Sequence, residues 1–192
     1  CWRAFHFHHL PSRALHGMDI DYDDEERAEY RFNEYSRDWK CKDCLDMPAK
    51  VSGLIAWRPG DVDSYTAGTP VDAMDQDDVY YLIKWEKLSY FRATWMPGAW
   101  AWGVTAAAMR KAFYKKGLPP KMRTEDAIPE EYLRIDVVLD IKYTSYVDIR
   151  TIEIDLARIK EVDEALIKYK GLGYEDAVWE KVPSPEDGER WS

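Results

Sequence analysis

Cysteine is scarce in this 192-residue chain, which has only Cys1, Cys41 and Cys44. An odd count that includes a C-x2-C pair argues against a disulfide framework. It favours metal binding in a reducing compartment. No apolar run reaches the roughly 18 residues a membrane-spanning helix needs, so no membrane partner is expected. The first residues lack the charged-then-apolar layout of a signal peptide. Missing too are the phosphate-binding G-x4-G-K-[ST] loop, the G-x-S-x-G elbow and the H-E-x-x-H helix. The four His lie within the first sixteen residues, away from most carboxylates, whereas a zinc hydrolase needs an open metal site beside a Glu base. A non-catalytic chain is expected. Positive charge is also in deficit: 27 Lys and Arg face 36 Asp and Glu, for a net charge of −9. Unassisted binding to a nucleic-acid backbone needs clustered cations, so a basic partner such as a cationic peptide tail suits this field better. The acidic run Asp19 to Glu29 reads as a solvated loop.

Aromatic residues are abundant, with nine Trp and thirteen Tyr in a chain that is 46% hydrophobic, enough for packed cores. The most informative feature is a repeat. Tyr81 to Trp95 (YLIKWEKLSYFRATW) recurs as Ala165 to Trp179 (ALIKYKGLGYEDAVW), with seven of fifteen positions identical. Two copies of one folding unit in a short chain imply a tandem module. Around the first copy, Val51 to Trp57, Val79 to Trp85 and Ala93 to Met96 read as strands, with a turn-rich loop from Pro59 to Asp78. Thr105 to Lys116 reads as a helix capped by Thr105 and stopped by Gly117. Pro119, Pro120 and Pro129 mark a linker. Around the second copy, Leu133 to Ile141 and Glu164 to Tyr169 read as strands, with an inserted hairpin between Tyr143 and Ile159 and at most a partial helix after Trp179. Trp57, Trp100 and Trp102 are either core or cement between the units.

The residues before position 48 carry five potential metal ligands: Cys1, His6 and His9 at C-x4-H-x2-H, and Cys41 and Cys44 at C-x2-C after Trp39. Zinc takes four N or S ligands in a tetrahedron, and C-x2-C places two thiolates on one tight turn. Five ligands cannot fill two such sites. C-W-R-A-F-H-F-H-H-L-P resembles the second half of a PHD finger, and W-K-C-K-D-C resembles that family's closing W-x-C-x2-C. His9 stands where the family has Cys. The resemblance implies a cross-braced Zn2+ finger in which Cys1, Cys41 and Cys44 share one ion and His6 and His9 serve another. It also implies further ligands upstream of Cys1 and an acidic insertion between the two halves.

The repeat itself resembles the chromodomain hallmark Y-L-V-K-W-K-G followed by T-W. Ile55 to Arg58 (IAWR) is similar to the first chromodomain of chromodomain-helicase remodelling ATPases of the NuRD-like and heterochromatin-silencing branches. Those proteins carry PHD fingers ahead of two chromodomains. The resemblance implies an α+β chain in four parts: a partial PHD-like finger at 1–47, a chromodomain with a linker helix at 48–118, a linker at 119–131, and a second chromodomain at 132–192. Each chromodomain is expected to be a three-stranded sheet plus a helix, and the two to be joined by a helical linker. It implies a nuclear, chromatin-binding, gene-silencing module of an ATP-dependent remodeller, whose motor lies outside this chain. Histone tails, the nucleosome, DNA and subunits of a remodelling or silencing complex are its implied partners.

Methyl-lysine reading needs two or three aromatic faces, each attracting the ammonium by about 0.5–2 kcal/mol. The cage positions fall on Trp85 and Leu88 in the first unit and on Tyr169, Leu172 and Tyr132 in the second. Leucine offers no negative ring face, so weak or absent methyl-lysine binding is expected; sheet packing is the competing role for Trp85 and Tyr169. A basic cluster of Arg110, Lys111, Lys115, Lys116, Lys121 and Arg123 is either a contact for DNA or an acidic partner or an ordinary solvated helix face. A scaffold that docks a partner subunit is the alternative function.

Overall fold

Alternating apolar residues of the two repeat copies organise two antiparallel three-stranded sheets, a period-2 pattern that buries one face of each strand. In the computed structural model, which describes residues 1, 3–10, 12, 22–37 and 39–182, β1 (Val51–Pro59), β2 (Val79–Trp85) and β3 (Thr94–Pro97) form the first sheet, in that order. β4 (Ile135–Tyr143), β5 (Val162–Tyr169) and β6 (Val178–Lys181) form the second, in the same order. The registers coincide once residues are shifted by the repeat. Val51 pairs with Trp85 as Ile135 pairs with Tyr169, Ala56 with Leu82 as Asp140 with Leu166, and Leu82 with Trp95 as Leu166 with Trp179. Both first strands carry bulges at matching positions; β4 adds one more, between Lys142 and Tyr143. The hairpin turns match as well. The left-handed position is Lys87 (φ 58°) in the first and Gly171 (φ 71°) in the second.

The first sheet is covered on both faces. On one, Leu54, Trp57, Tyr81, Ile83 and Trp85 pack with Trp100 and Phe113. Those two rings come from α3 (Gly98–Val104) and α4 (Ala107–Lys115). The single expected helix is therefore two, and Thr105 caps neither at its start: its hydroxyl donates back to Ala101 O at 2.6 Å, closing α3, while Ala106 precedes α4. α3 escapes a propensity reading because its sequence, GAWAWGV, carries two glycines. It forms because Trp100 can bury completely against Trp85, and tertiary burial overrides propensity. Gly98 is required there, since a Cβ would sit 2.4 Å from Val79 Cγ2 and 2.5 Å from Gln76 O.

On the opposite face, Ala56 and Leu82 pack with Ile128. Ile128 belongs to the segment joining the units, between two short helical turns, α5 (Thr124–Ala127) and a 3-10 turn at Glu130–Leu133. α4 belongs to the first core, and prolines at 119, 120 and 129 keep the connection from continuing it. The segment is tied down by Trp57 Nε1 donating to Leu118 O (2.8 Å), Lys121 N to Trp57 O (2.9 Å), Arg58 Nη1 to Met122 O (3.0 Å) and Trp95 Nε1 to Thr124 Oγ1 (3.0 Å).

The second sheet has a smaller core of Ala165, Ile167, Tyr169 and Val178. The insertion between β4 and β5 contains α6 (Ile152–Ala157) in place of the expected hairpin. Thr151 caps α6 by accepting from Ile154 N, and that cap favours a helix over a turn. The acidic run also departs from the loop expectation. From Asp24 onward it becomes α1 (Asp24–Tyr35), with Asp23 and Glu26 forming a capping box. Acidic residues suit a helix N-terminus because the dipole there is positive. The start of that run, and the partial helix expected after Trp179, lie outside the described residues.

Candidate functional site

The metal-ligand residues separate into two groups. Cys41 precedes α2 (Lys42–Asp46) and Cys44 lies within its first turn, so the C-x2-C spacing turns both thiols the same way. The chain's first residue returns to them, and the sulfurs of Cys1, Cys41 and Cys44 lie within 4.8 Å of one another. Three converging thiols are three of the four soft ligands tetrahedral zinc uses, so the donor set fits that ion. Among the described residues no fourth His, Cys or carboxylate joins them. Arg3 lies alongside, donating to Cys41 Sγ (3.1 Å) and Asp43 Oδ2 (2.7 Å). Burial works against its charge, but those two bonds hold its pKa above the usual arginine value. The whole clasp rests on the first unit: Cys41 is buried in the first core, with Trp39, Cys44 and Met47 packed against it. His6 and His9 stand apart from the thiols, exposed, with their rings 5.7 Å from each other.

The aromatic cage positions are not brought together. Trp85 is fully buried, edge-on to Trp100, with Nε1 donating to Thr94 Oγ1 at 2.9 Å. Tyr169 is 1% exposed and donates its hydroxyl to Glu180. Leu88 packs against the first core and Leu172 against the second. Tyr132 stacks at 5.2 Å on Tyr90, in the cluster beneath the connecting segment. A buried ring has no free face for an ammonium, which holds for Trp85 and Tyr169.

The basic cluster also divides. Arg110 stacks 4.1 Å over the exposed Trp102 and donates to Trp102 O and Thr105 Oγ1, fastening α4 to α3. Lys111, Lys115 and Lys116 are exposed on and just after α4. Lys121 and Arg123 belong to the docked segment, where Arg123 pairs with Asp126 at 3.0 Å, which raises its pKa.

Residues that sequence reasoning overlooked join the two units. The carboxylate of Glu180, 5% exposed, accepts hydroxyls from Tyr169 and from Ser89 of the first unit. Phe91 lies 6.2 Å from Tyr169 across the same junction. A signal existed: the repeat aligns Glu180 with the apolar Met96, and a charge at a core position needs a partner. A second overlooked pair is common to both units. Arg58 lies 4.3 Å over Trp95, and Lys142 lies 3.8 Å over Trp179 at the equivalent place.

Residues 123–192 match the MIT1 chromo domain. Residues 1–44 match a PHD/FYVE-zinc-finger like domain, which contains all five proposed ligands. The chain is 26% identical over 165 residues to the chromatin remodeling factor mit1 of Schizosaccharomyces pombe, covering 79% of this chain and 11% of that relative. The chain therefore combines a PHD-like zinc-finger segment with a chromo domain, and both domain types are non-catalytic. The chromo match begins inside the segment docked on the first sheet, ahead of position 132 where the sequence placed its start.

Proposed function

We propose that this chain is the non-catalytic chromatin-docking module of a nuclear, ATP-dependent nucleosome remodeller of the gene-silencing type. Its first sheet is a second chromodomain, carried by the register it shares, bulge for bulge, with the sheet that matches the MIT1 chromo domain. Cys1, Cys41 and Cys44 hold one zinc ion, and His6 and His9 contribute to another. The ion supplies a rigid fastening of the N-terminal segment to the first core. Histone tails and nucleosomal DNA are the ligands, reached by the acidic surface and by the lysines of α4, with methyl-lysine recognition weak because Trp85 and Tyr169 are buried. Titration of nucleosomes and of modified and unmodified histone peptides tests this: micromolar binding to nucleosomes with little preference for methylated peptides is expected, and absence of binding to all of them overturns it. Elemental analysis tests the metal, with zinc retained by the native chain and lowered by Cys41→Ser.

A second reading, a scaffold for a partner subunit of the same complex, is favoured by one observation. The insertion of the second unit exposes Tyr146 (88%), Ile149 (72%), Ile152 (76%), Leu156 (65%) and Ile159 (65%). Ile152 and Leu156 stand four apart on α6 and so share one helical face, and exposed large apolar side chains gathered in one insertion mark a candidate interaction site. Leu156→Glu is expected to remove a stoichiometric partner that co-purifies with the full-length remodeller. Unchanged co-purification removes this reading.

A further inference from the structure

Five of the seven residues identical between the repeat copies share one face of the sheet, the face turned away from α3 and α4. In the first unit Leu82, Tyr90, Ala93 and Trp95 form the cluster that receives the connecting segment, with Ile128 as its buried anchor. Lys84 lies 5.2 Å over Tyr90 in the same layer. The occupant is one helical turn, α5, held by one indole N–H, Trp95 to Thr124 Oγ1, and one aliphatic side chain four residues later, Ile128.

The second unit repeats the receiving surface. Leu166, Tyr174, Ala177 and Trp179 stand in the equivalent places, and Lys168 lies 5.5 Å over Tyr174. Here the surface is more open: Leu82 is fully buried but Leu166 only partly, and Tyr174 is 67% exposed where Tyr90 is half-buried. Val137 and Leu139 on the flanking strand are 41% and 40% exposed. Trp179 Nε1 has no acceptor among the described residues, whereas Trp95 has Thr124. The face opens into a cleft of about 630 Å3, closed on its other side by Lys84, Glu86 and Lys87 of the first unit.

We infer that this second face binds a segment of a partner polypeptide that makes one helical turn there, in the manner in which the first face binds residues 118–133. The segment presents a hydroxyl or carbonyl oxygen to Trp179 Nε1 and, four residues on, a branched aliphatic side chain to Leu166. A second copy of this chain is a poor donor, because its own 118–133 stretch is held on its first sheet by four hydrogen bonds and by Ile128, 3% exposed. One position differs in a way that selects the ligand: Asp140 stands where Ala56 contacts the first segment. A carboxylate there disfavours an acidic or purely apolar neighbour. This inference rests on the protein-docking reading, yet its test is separable, because the assay uses the sheet face and not α6.

The probe is a fluorescently labelled peptide of residues 118–133, titrated with the intact 192-residue chain. Weak binding to the native chain is expected, tightened several-fold by Asp140→Ala, which restores the first unit's surface. Leu166→Asp and Trp179→Ala each weaken it by about tenfold or more; circular dichroism and the melting midpoint confirm that these variants fold. Leu156→Glu leaves peptide binding unchanged, which separates this face from the α6 patch. Absence of binding to both the native chain and Asp140→Ala overturns the inference, as does affinity indifferent to Leu166→Asp. Concentration-dependent dimerisation abolished by Leu166→Asp also overturns it, by making the occupant a second copy.

Discussion

The two sheets have the same strand order and register but different surroundings. The first is sandwiched between α3 and α4 on one side and the connecting segment on the other, so Tyr81, Leu82, Ile83 and Trp85 are each at most 1% exposed. In the second, burial follows strict alternation along β5, and the first strand β4 exposes Val137, Val138 and Leu139. A small sheet with one covered face is marginal alone. The first unit therefore acts as the stable platform and the second leans on it through Glu180. What the duplication preserved is a scaffold; what diverged is how far each face is covered.

The largest effect that separates the units is expected from Trp85→Ala. It empties a fully buried site of the first sheet and costs about 3–5 kcal/mol, lowering the denaturation midpoint of the whole chain. Its repeat counterpart Tyr169→Phe removes a single hydroxyl and costs about 1–2 kcal/mol. Equal costs for the two would dissolve the distinction between platform and dependent unit.

Glu180→Ala is next, at about 2–3 kcal/mol, because two buried hydroxyls, Ser89 and Tyr169, lose a charged acceptor. Hydrogen exchange is expected to accelerate at 89–92 and 165–169 and to stay slow in β1. Uniform acceleration across both sheets would show that the junction is not a local joint.

Alkaline pH sharpens the comparison further. Burial first, and then the neighbouring Tyr114, hold the Tyr81 hydroxyl above its ordinary range. Burial, Tyr132 and Asp176 do the same for Tyr90. A raised folded-state pKa gives stability that is complete below the unfolded value near 10 and is lost as pH rises beyond it. The first unit should therefore weaken above about pH 10, by up to about 1.4 kcal/mol per pH unit for Tyr81 and by less for the more exposed Tyr90. Tyr81→Phe should flatten that slope in a pH series of denaturant melts. An unchanged slope would mean that Tyr81 ionises freely in the folded chain.

The smallest expected effect concerns the shared cation–indole stacks. Lys142→Ala at the open Trp179 should cost about 0.5–1 kcal/mol. Arg58→Ala should cost more, because Arg58 also holds Met122 O of the connecting segment. Equal costs would imply that the segment on the first sheet contributes nothing through Arg58.

Much of this was readable in advance. The repeat located β2 and β5, and the strand Val79–Trp85 lies where its branched and aromatic residues placed it. The C-x2-C spacing picked out Cys41 and Cys44, and Cys1 was paired with them through its finger-like context. What escaped depended on partners distant in sequence. α3 needs Trp85 to bury Trp100, so no local window shows it. α6 is a single short helix in which the polar and apolar residues also fit a hairpin. Trp85 and Tyr169 belong to a chromodomain-like pattern, and only the helices, the Phe91 ring and the Glu180 carboxylate around them make them packing residues. The basic residues from Arg110 to Arg123 look like one patch along the chain, but the bend at Gly117 and Pro119 sends Lys121 and Arg123 into the segment on the first sheet's other face.

By itself the sequence determined the duplication, the alternation that sets each strand's faces, and the thiol spacing that suits a metal ion, because each is a matter of residue type and short-range period. Which face of each sheet is covered, and by what, was decided only in three dimensions. Burial depends on which distant segment returns to pack, and two strands with the same alternation can meet quite different neighbours.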